Sequence, residues 1–87
     1  MSGVQWDSLR VRLDEVHRWP SQFTYKFIMP QEVVPSFVPI LGDRPYTTRQ
    51  SNRGNYTSIT VEVEAQSSEQ VVELYVAASR IEKVIAL

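Results

Sequence analysis

A chain of 87 residues with 43% hydrophobic content suffices for one compact domain with one core and leaves no room for a second. Nine basic and ten acidic residues give a net charge of −1, which supplies no general field for holding a polyanion, so nucleic acid is not an expected partner. The absence of cysteine excludes disulfides, thiolate metal sites and cysteine nucleophiles, and the lone His17 cannot form a histidine cluster.

No apolar run approaches the roughly 18 residues of a membrane span. The opening MSGVQWDSLR has no basic region followed by an apolar one, so the expectation is a cytoplasmic protein with no membrane partner. A chain this short buries only about 60% of its unfolded surface, which makes self-association a natural way to cover a remaining apolar face; a homodimer is expected.

Between Val4 and Trp19 the apolar residues Trp6, Leu9, Leu13 and Val16 recur at spacings of three and four with charged residues between them. That pattern predicts an amphipathic helix within 1–20, appended to a domain over 21–87. Trp6 and Trp19 read as its docking residues, and His17 as a solvated side chain well placed for the helix dipole. Pro20 and Ser21 stop it.

In FTYKFIMP, Phe23, Tyr25 and Phe27 alternate with Thr24 and Lys26, the period of a half-buried strand closed by Pro30. The following QEVVPSFVPILGD keeps helical spacing at Val33, Phe37, Ile40 and Leu41, yet Pro35 and Pro39 each remove a backbone donor. A helix that starts just before Pro35 is therefore expected, kinked or shortened at Pro39 and ended by Gly42. Tyr46 to Ser51 reads as a short polar strand. After a turn, Ile59, Val61, Val63 and Ala65 alternate with Ser58, Thr60, Glu62 and Glu64, the clearest strand in the chain.

Ser67 with Gln70 makes a capping-box signature before the apolar face Val71, Leu74, Tyr75 and Ala78, which predicts a helix from Ser68 to Arg80. The closing IEKVIAL is apolar and β-branched enough for a last strand. The order strand, helix, strand, strand, helix, strand with right-handed crossovers gives an α+β, ferredoxin-like βαββαβ sandwich: a four-stranded antiparallel sheet with two helices on one face, plus the N-terminal helix.

FTYKFI, the turn and strand SNRGNYTSITV, and SEQVVELY running on to RIEKVIAL together resemble the YbeD-like family, also known as domain of unknown function 493. The resemblance covers about Trp19 to Leu87 and rests most on the basic-Gly-x-Tyr turn entering a Ser/Thr-Ile strand. It implies similarity to regulatory ACT domains, small ferredoxin-like modules that pair and bind ligands at their interfaces. Pro35 and Pro39 depart from the family's longer first core helix, and the loop MPQEVV before that helix has no glycine for close approach to an effector.

Candidate contacts then follow from charge and side. Lys26 lies opposite Phe23, Tyr25 and Phe27 on its strand and is expected to pair across strands with Glu62 or Glu64. Arg53-Gly54-Asn55-Tyr56 reads first as a hairpin turn, with Gly54 taking positive φ and Asn52 and Asn55 making local bonds. The segment from Arg44 to Tyr56 nevertheless carries Arg44, Arg49 and Arg53, while Glu62, Glu64, Glu69 and Glu73 form an acidic run. A basic edge of this kind suits a partner or a second copy, and Lys26, Arg49, Arg53 and Tyr56 are the residues expected to touch it. Tyr56 is the only aromatic expected on the open face, too little for RNA stacking. No serine is accompanied by a usable base and no acid/base pair stands out, so the expectation is a non-enzymatic module without cofactor or metal. Its role is then the binding of a small effector in the ACT manner, or protein docking through the Arg44–Arg53 edge or the N-terminal helix.

Overall fold

Strict alternation of apolar and polar residues builds the two longest strands, β1 (Ser21–Pro30) and β3 (Tyr56–Ala65), which run antiparallel along their whole length from Ser21 opposite Ala65 to Pro30 opposite Tyr56. The computed structural model describes the backbone of residues 2–51 and 53–87 and the side chains from Trp6 onward; the expected turn bond of Asn52 lies outside the described residues. β2 (Tyr46–Gln50) pairs with the outer edge of β3, and β4 (Ile85–Ala86) with the outer edge of β1, giving the order β2-β3-β1-β4 with every pair antiparallel. This is the ferredoxin-like sheet that the sequence predicts.

The residues between β1 and β2 form one α-helical turn, α2 (Val34–Phe37), flanked by 3₁₀ turns at Gln31–Val33 and Val38–Leu41. Pro35 and Pro39 each sit in the first turn of their own short segment, where a missing N–H costs nothing. Gly42 ends the segment with φ +59°, a conformation that favours glycine. α3 (Ser68–Ser79) starts on Ser67, whose Oγ accepts the Gln70 N–H at 3.2 Å. The reciprocal half of the expected capping box is displaced by one residue: Gln70 Oε1 accepts from the Gln66 N–H at 2.8 Å.

The core lies between one face of the sheet and the helices. Tyr25, Phe27 and Met29 of β1 and Ile59 and Val61 of β3 are fully enclosed, against Phe37 and Leu41 from the α2 segment and Val71 and Leu74 from α3. α1 (Ser2–Val16) packs along α3 and contributes Leu13 to the same core, with Trp6, Leu9 and Trp19 packed against it. Both tryptophans thus dock as expected. Among the described residues no helix is long and apolar enough to cross a membrane.

Three local expectations are corrected. Val16 was assigned to the apolar face of α1 but is exposed, because the helix ends there. His17 is half-buried rather than solvated: Trp19 folds back to donate its Nε1–H to Asp14 Oδ1 at 2.9 Å, and the His17 ring stacks on it at 5.2 Å and meets the edge of Phe23 at 5.7 Å. The last strand is far shorter than IEKVIAL. Ile81 donates its N–H to Ala78 at 3.1 Å in the end of α3, and Lys83 turns the chain with φ 73°, so pairing begins only at Ile85.

Candidate functional site

Residues that pair directly across strands share a face of the sheet, so the register places the polar positions of β1 and β3 together on the side away from the helices. One row across that open face runs Arg49, Ser58, Ile28, Ile85; the next holds Thr47, Thr60 and Lys26. Further along, Glu62 stands opposite Thr24 and Glu64 opposite Gln22. The Leu87 N–H donates to the Lys26 carbonyl at 2.8 Å and carries the chain end along the same margin.

The register corrects the expected partner of Lys26, whose direct neighbour is Thr60, with Glu62 one diagonal step away. Among the described residues the only ion pair joins Arg10 to Asp7 on α1. Lys26 and Arg49 instead line one open hollow of about 400 Å³ together with Ile28, Gln50, Ser51, Tyr56 and Ser58. Three of the four candidate residues therefore meet in one place, and no carboxylate lines it. Tyr56 is 51% exposed at its rim.

Arg53 does not line that hollow; it is exposed in the turn, which has its own structural logic. The Ser51 N–H donates to the Tyr56 carbonyl at 2.9 Å, the Tyr56 N–H to Ser51 Oγ at 3.3 Å, and the Gly54 N–H to the Ser51 carbonyl at 2.9 Å. Gly54 supplies the required positive φ of 72°. Asn55 contributes through its main chain, its carbonyl accepting from Gln31 N–H at 3.0 Å, and the Thr57 hydroxyl bonds the Gln31 side chain beneath. These bonds fix Tyr56, the first residue of β3, against the end of β1.

Arg44 leaves the expected basic edge altogether. Its guanidinium donates to the Leu41 carbonyl at 3.1 Å and lines a second hollow, about 370 Å³, at the seam between β3 and α3. Asp43, Glu64, Gln70 and Glu73 surround it there, with Tyr25 at the base. No spacing in the sequence signals this grouping, because its members come from four separate segments: β1, the loop before β2, β3 and α3. Burial pushes the Tyr25 phenol well above the usual tyrosine range; Arg44 opposes the rise, and Tyr75 and Glu73 add to it. Burial raises Tyr75 as well. Tyr25 therefore keeps its proton further into alkaline solution than an ordinary phenol and donates to the Val71 carbonyl at 3.0 Å, a structural role.

The open-face hollow has the chemistry of an anion seat: two cations, two serine hydroxyls and the phenol of Tyr56 at its rim, framed by rigid strands. Among the described residues no group of three or more His, Cys, Asp or Glu side chains is placed to hold a metal ion.

Comparison with known proteins places the chain among uncharacterised relatives. The family model described as protein of unknown function (DUF493) matches residues 14–87. A UPF0250 protein of Shewanella sediminis is 38% identical over 85 residues, covering 87% of this chain and 94% of its own. One from Buchnera aphidicola subsp. Schizaphis graminum is 32% identical over 83 residues, covering 87% and 95%. The UPF0250 protein YbeD of Escherichia coli O1:K1 / APEC is 34% identical over 76 residues, covering 77% and 85%. No solved structure matches significantly. The span of the family match and the identity of these relatives show that the chain belongs to the DUF493 family, the UPF0250 proteins that include YbeD.

Proposed function

We propose that the protein is a non-enzymatic binding module, ACT-like and regulatory in kind, which works by seating a carboxylate-bearing ligand on the open face of its sheet. One observation carries this reading: Lys26, Arg49 and Tyr56, distant in sequence, line a single hollow with Ser58 and with no carboxylate among them. Arg49 offers a planar fork that matches a carboxylate, and Lys26 a mobile point charge beside it. The exposed side chains of Tyr56, Ile85 and Leu87 along the same end favour a ligand with an apolar part, as a protein surface has.

The test is to titrate the full chain, isotopically labelled, with a glutamate-rich peptide and with citrate while following its amide resonances. Shifts confined to Lys26, Ile28, Arg49, Tyr56 and Ser58, and lost in Lys26→Ala/Arg49→Ala, are expected. Shifts of equal size with a short oligonucleotide, or none with either acidic probe at millimolar concentration, would overturn the reading.

A further inference from the structure

The charges of the open face are arranged end to end. Arg49 and Lys26 occupy the two rows nearer Tyr56, Lys26 beside Thr60 and Thr47, whereas Glu62, beside Thr24, and Glu64 occupy the two rows at the other end, where Glu64, at the strand margin, also borders the Arg44 hollow. Along β3 the Arg49 row (at Ser58) and the Glu64 row are six residues apart, roughly 20 Å at the rise of a strand. The face is thus positive at one end and negative at the other, with the change of sign between the Lys26 and Glu62 rows. The helices pack on the opposite side, where the core lies, and leave these residues exposed or half-buried.

We infer that this face is a self-complementary docking surface, and that its occupant is a second copy of the same chain, related by a two-fold axis that lies in the plane of the face and crosses the strands. That operator turns the face over and reverses the strand direction. It sets the row of Lys26 over the row of Glu62 and the row of Arg49 over the row of Glu64, twice by symmetry. The axis passes between the Lys26 and Glu62 rows, so Thr60 of one chain faces Glu62 of the other and Thr24 faces Lys26, which leaves each charge over a hydroxyl and one strand away from its opposite. The alternative in-plane axis, along the strands, would stack glutamate on glutamate and arginine on arginine, so the charges select one operator over the other. The inference rests on the reading above and deepens it: the carboxylates sought by Lys26 and Arg49 are the glutamates of the second copy.

Size sets the strength. The 27 strand residues, each roughly 3.3 Å along the strand and 4.8 Å across it, cover on the order of 400–500 Å² per copy before side-chain relief, below the roughly 800 Å² of a stable complex. The dimer is therefore reversible, and added salt weakens it, because its pairs remain near solvent.

Four proteins test this by sedimentation velocity from micromolar to millimolar concentration at low and high salt: wild type, Lys26→Glu/Arg49→Glu, Glu62→Lys/Glu64→Lys, and the chain carrying all four exchanges. Every position is on the exposed face, and circular dichroism checks that each protein is folded. Wild type is expected to dimerise reversibly and less at high salt. Each half-exchange should weaken the dimer by about tenfold or more, and the fourfold exchange, which restores the end-to-end pattern inverted, should recover it. A wild type that stays monomeric throughout overturns the inference, as does a dimer indifferent to both half-exchanges. If acidic peptide still binds at Lys26 and Arg49 while the chain stays monomeric, the second copy is ruled out and the anion seat stands. If neither occurs, both fail.

Discussion

The two faces of β1 and β3 are made from alternate residues of the same strands, yet they meet opposite demands. Tyr25, Phe27 and Met29 are at most 1% exposed, whereas Lys26 between them is exposed and has no carboxylate directly opposite. On the inner side aromatic rings form a continuous chain: Phe23 to Tyr25 at 4.9 Å, Tyr25 to Phe27 at 5.9 Å and Phe27 to Phe37 at 4.9 Å. On the outer side no pair of aromatic rings meets among the described residues. Stability is therefore concentrated on one face, which leaves the other free to carry charges whose arrangement serves recognition.

The hardest blow to that division is Phe27→Ala, expected to cost about 3–5 kcal/mol by loss of buried surface and an unfilled cavity. A domain of 87 residues has roughly 4–13 kcal/mol in total, so this variant loses between about a quarter and all of it. Urea denaturation followed by circular dichroism reads it; a loss under about 1 kcal/mol would show that the inner face does not carry the fold.

Tyr25→Phe is milder and adds a dependence on pH. Removing the hydroxyl that donates to the Val71 carbonyl costs about 1–2 kcal/mol at neutral pH. The native phenol holds its proton to higher pH than the unfolded one, because burial raises it. Above the ordinary tyrosine value near 10 the unfolded state gives up a proton that the native state keeps. Its stabilisation is thus complete below that pH and is lost as pH rises further. Thermal melts from neutral to alkaline pH should fall steeply in wild type and less in Tyr25→Phe, with a remainder from Tyr75, whose phenol is raised by the same cause. Equal slopes in both proteins would remove Tyr25 from the account.

The same contrast explains what could be read from the residues beforehand. Alternation is local, so the inner and outer sides of β1 and β3 were legible, as were the α3 face, its Ser67 cap and the places of Pro35 and Pro39. Register is not local. Lys26 lies beside Thr60 because of how β1 and β3 pair along their whole length, and no single residue announces that. Arg44 parts from Arg49 because Gly42 turns the chain before β2, carrying one arginine to the α3 seam and leaving the other on the open face. The short β4 was hidden for another reason. IEKVIAL has strand-forming residues throughout, but Ile81 closes the end of α3, and a left-handed backbone at Lys83 carries no glycine to signal it.

Gly54→Ala probes the turn that joins the outer strand to the inner one. A Cβ at Gly54 would meet nothing within 4 Å, so the whole effect comes from its φ of 72°. The expected cost is about 1 kcal/mol, read as a shift of the urea midpoint at unchanged slope. The amide of Tyr56 should move with it, since Ser51 ties the two ends of the turn together. No loss of stability would mean that the turn relaxes into another form and does not fix Tyr56.

The smallest expected effect on stability is at the outer face itself. Lys26→Ala and Arg49→Ala remove exposed cations for which no ion pair exists among the described residues, so each should stay within about 0.5 kcal/mol of wild type in urea. Replacing both clears the cations from the hollow while leaving the β1–β3 register and the aromatic chain beneath untouched. A double variant as stable as wild type that no longer responds to acidic peptide would separate recognition from folding on two sides of one sheet. A large destabilisation would instead show that Lys26 and Arg49 hold the strands together, and the division between the faces would fail at the residues chosen to represent it.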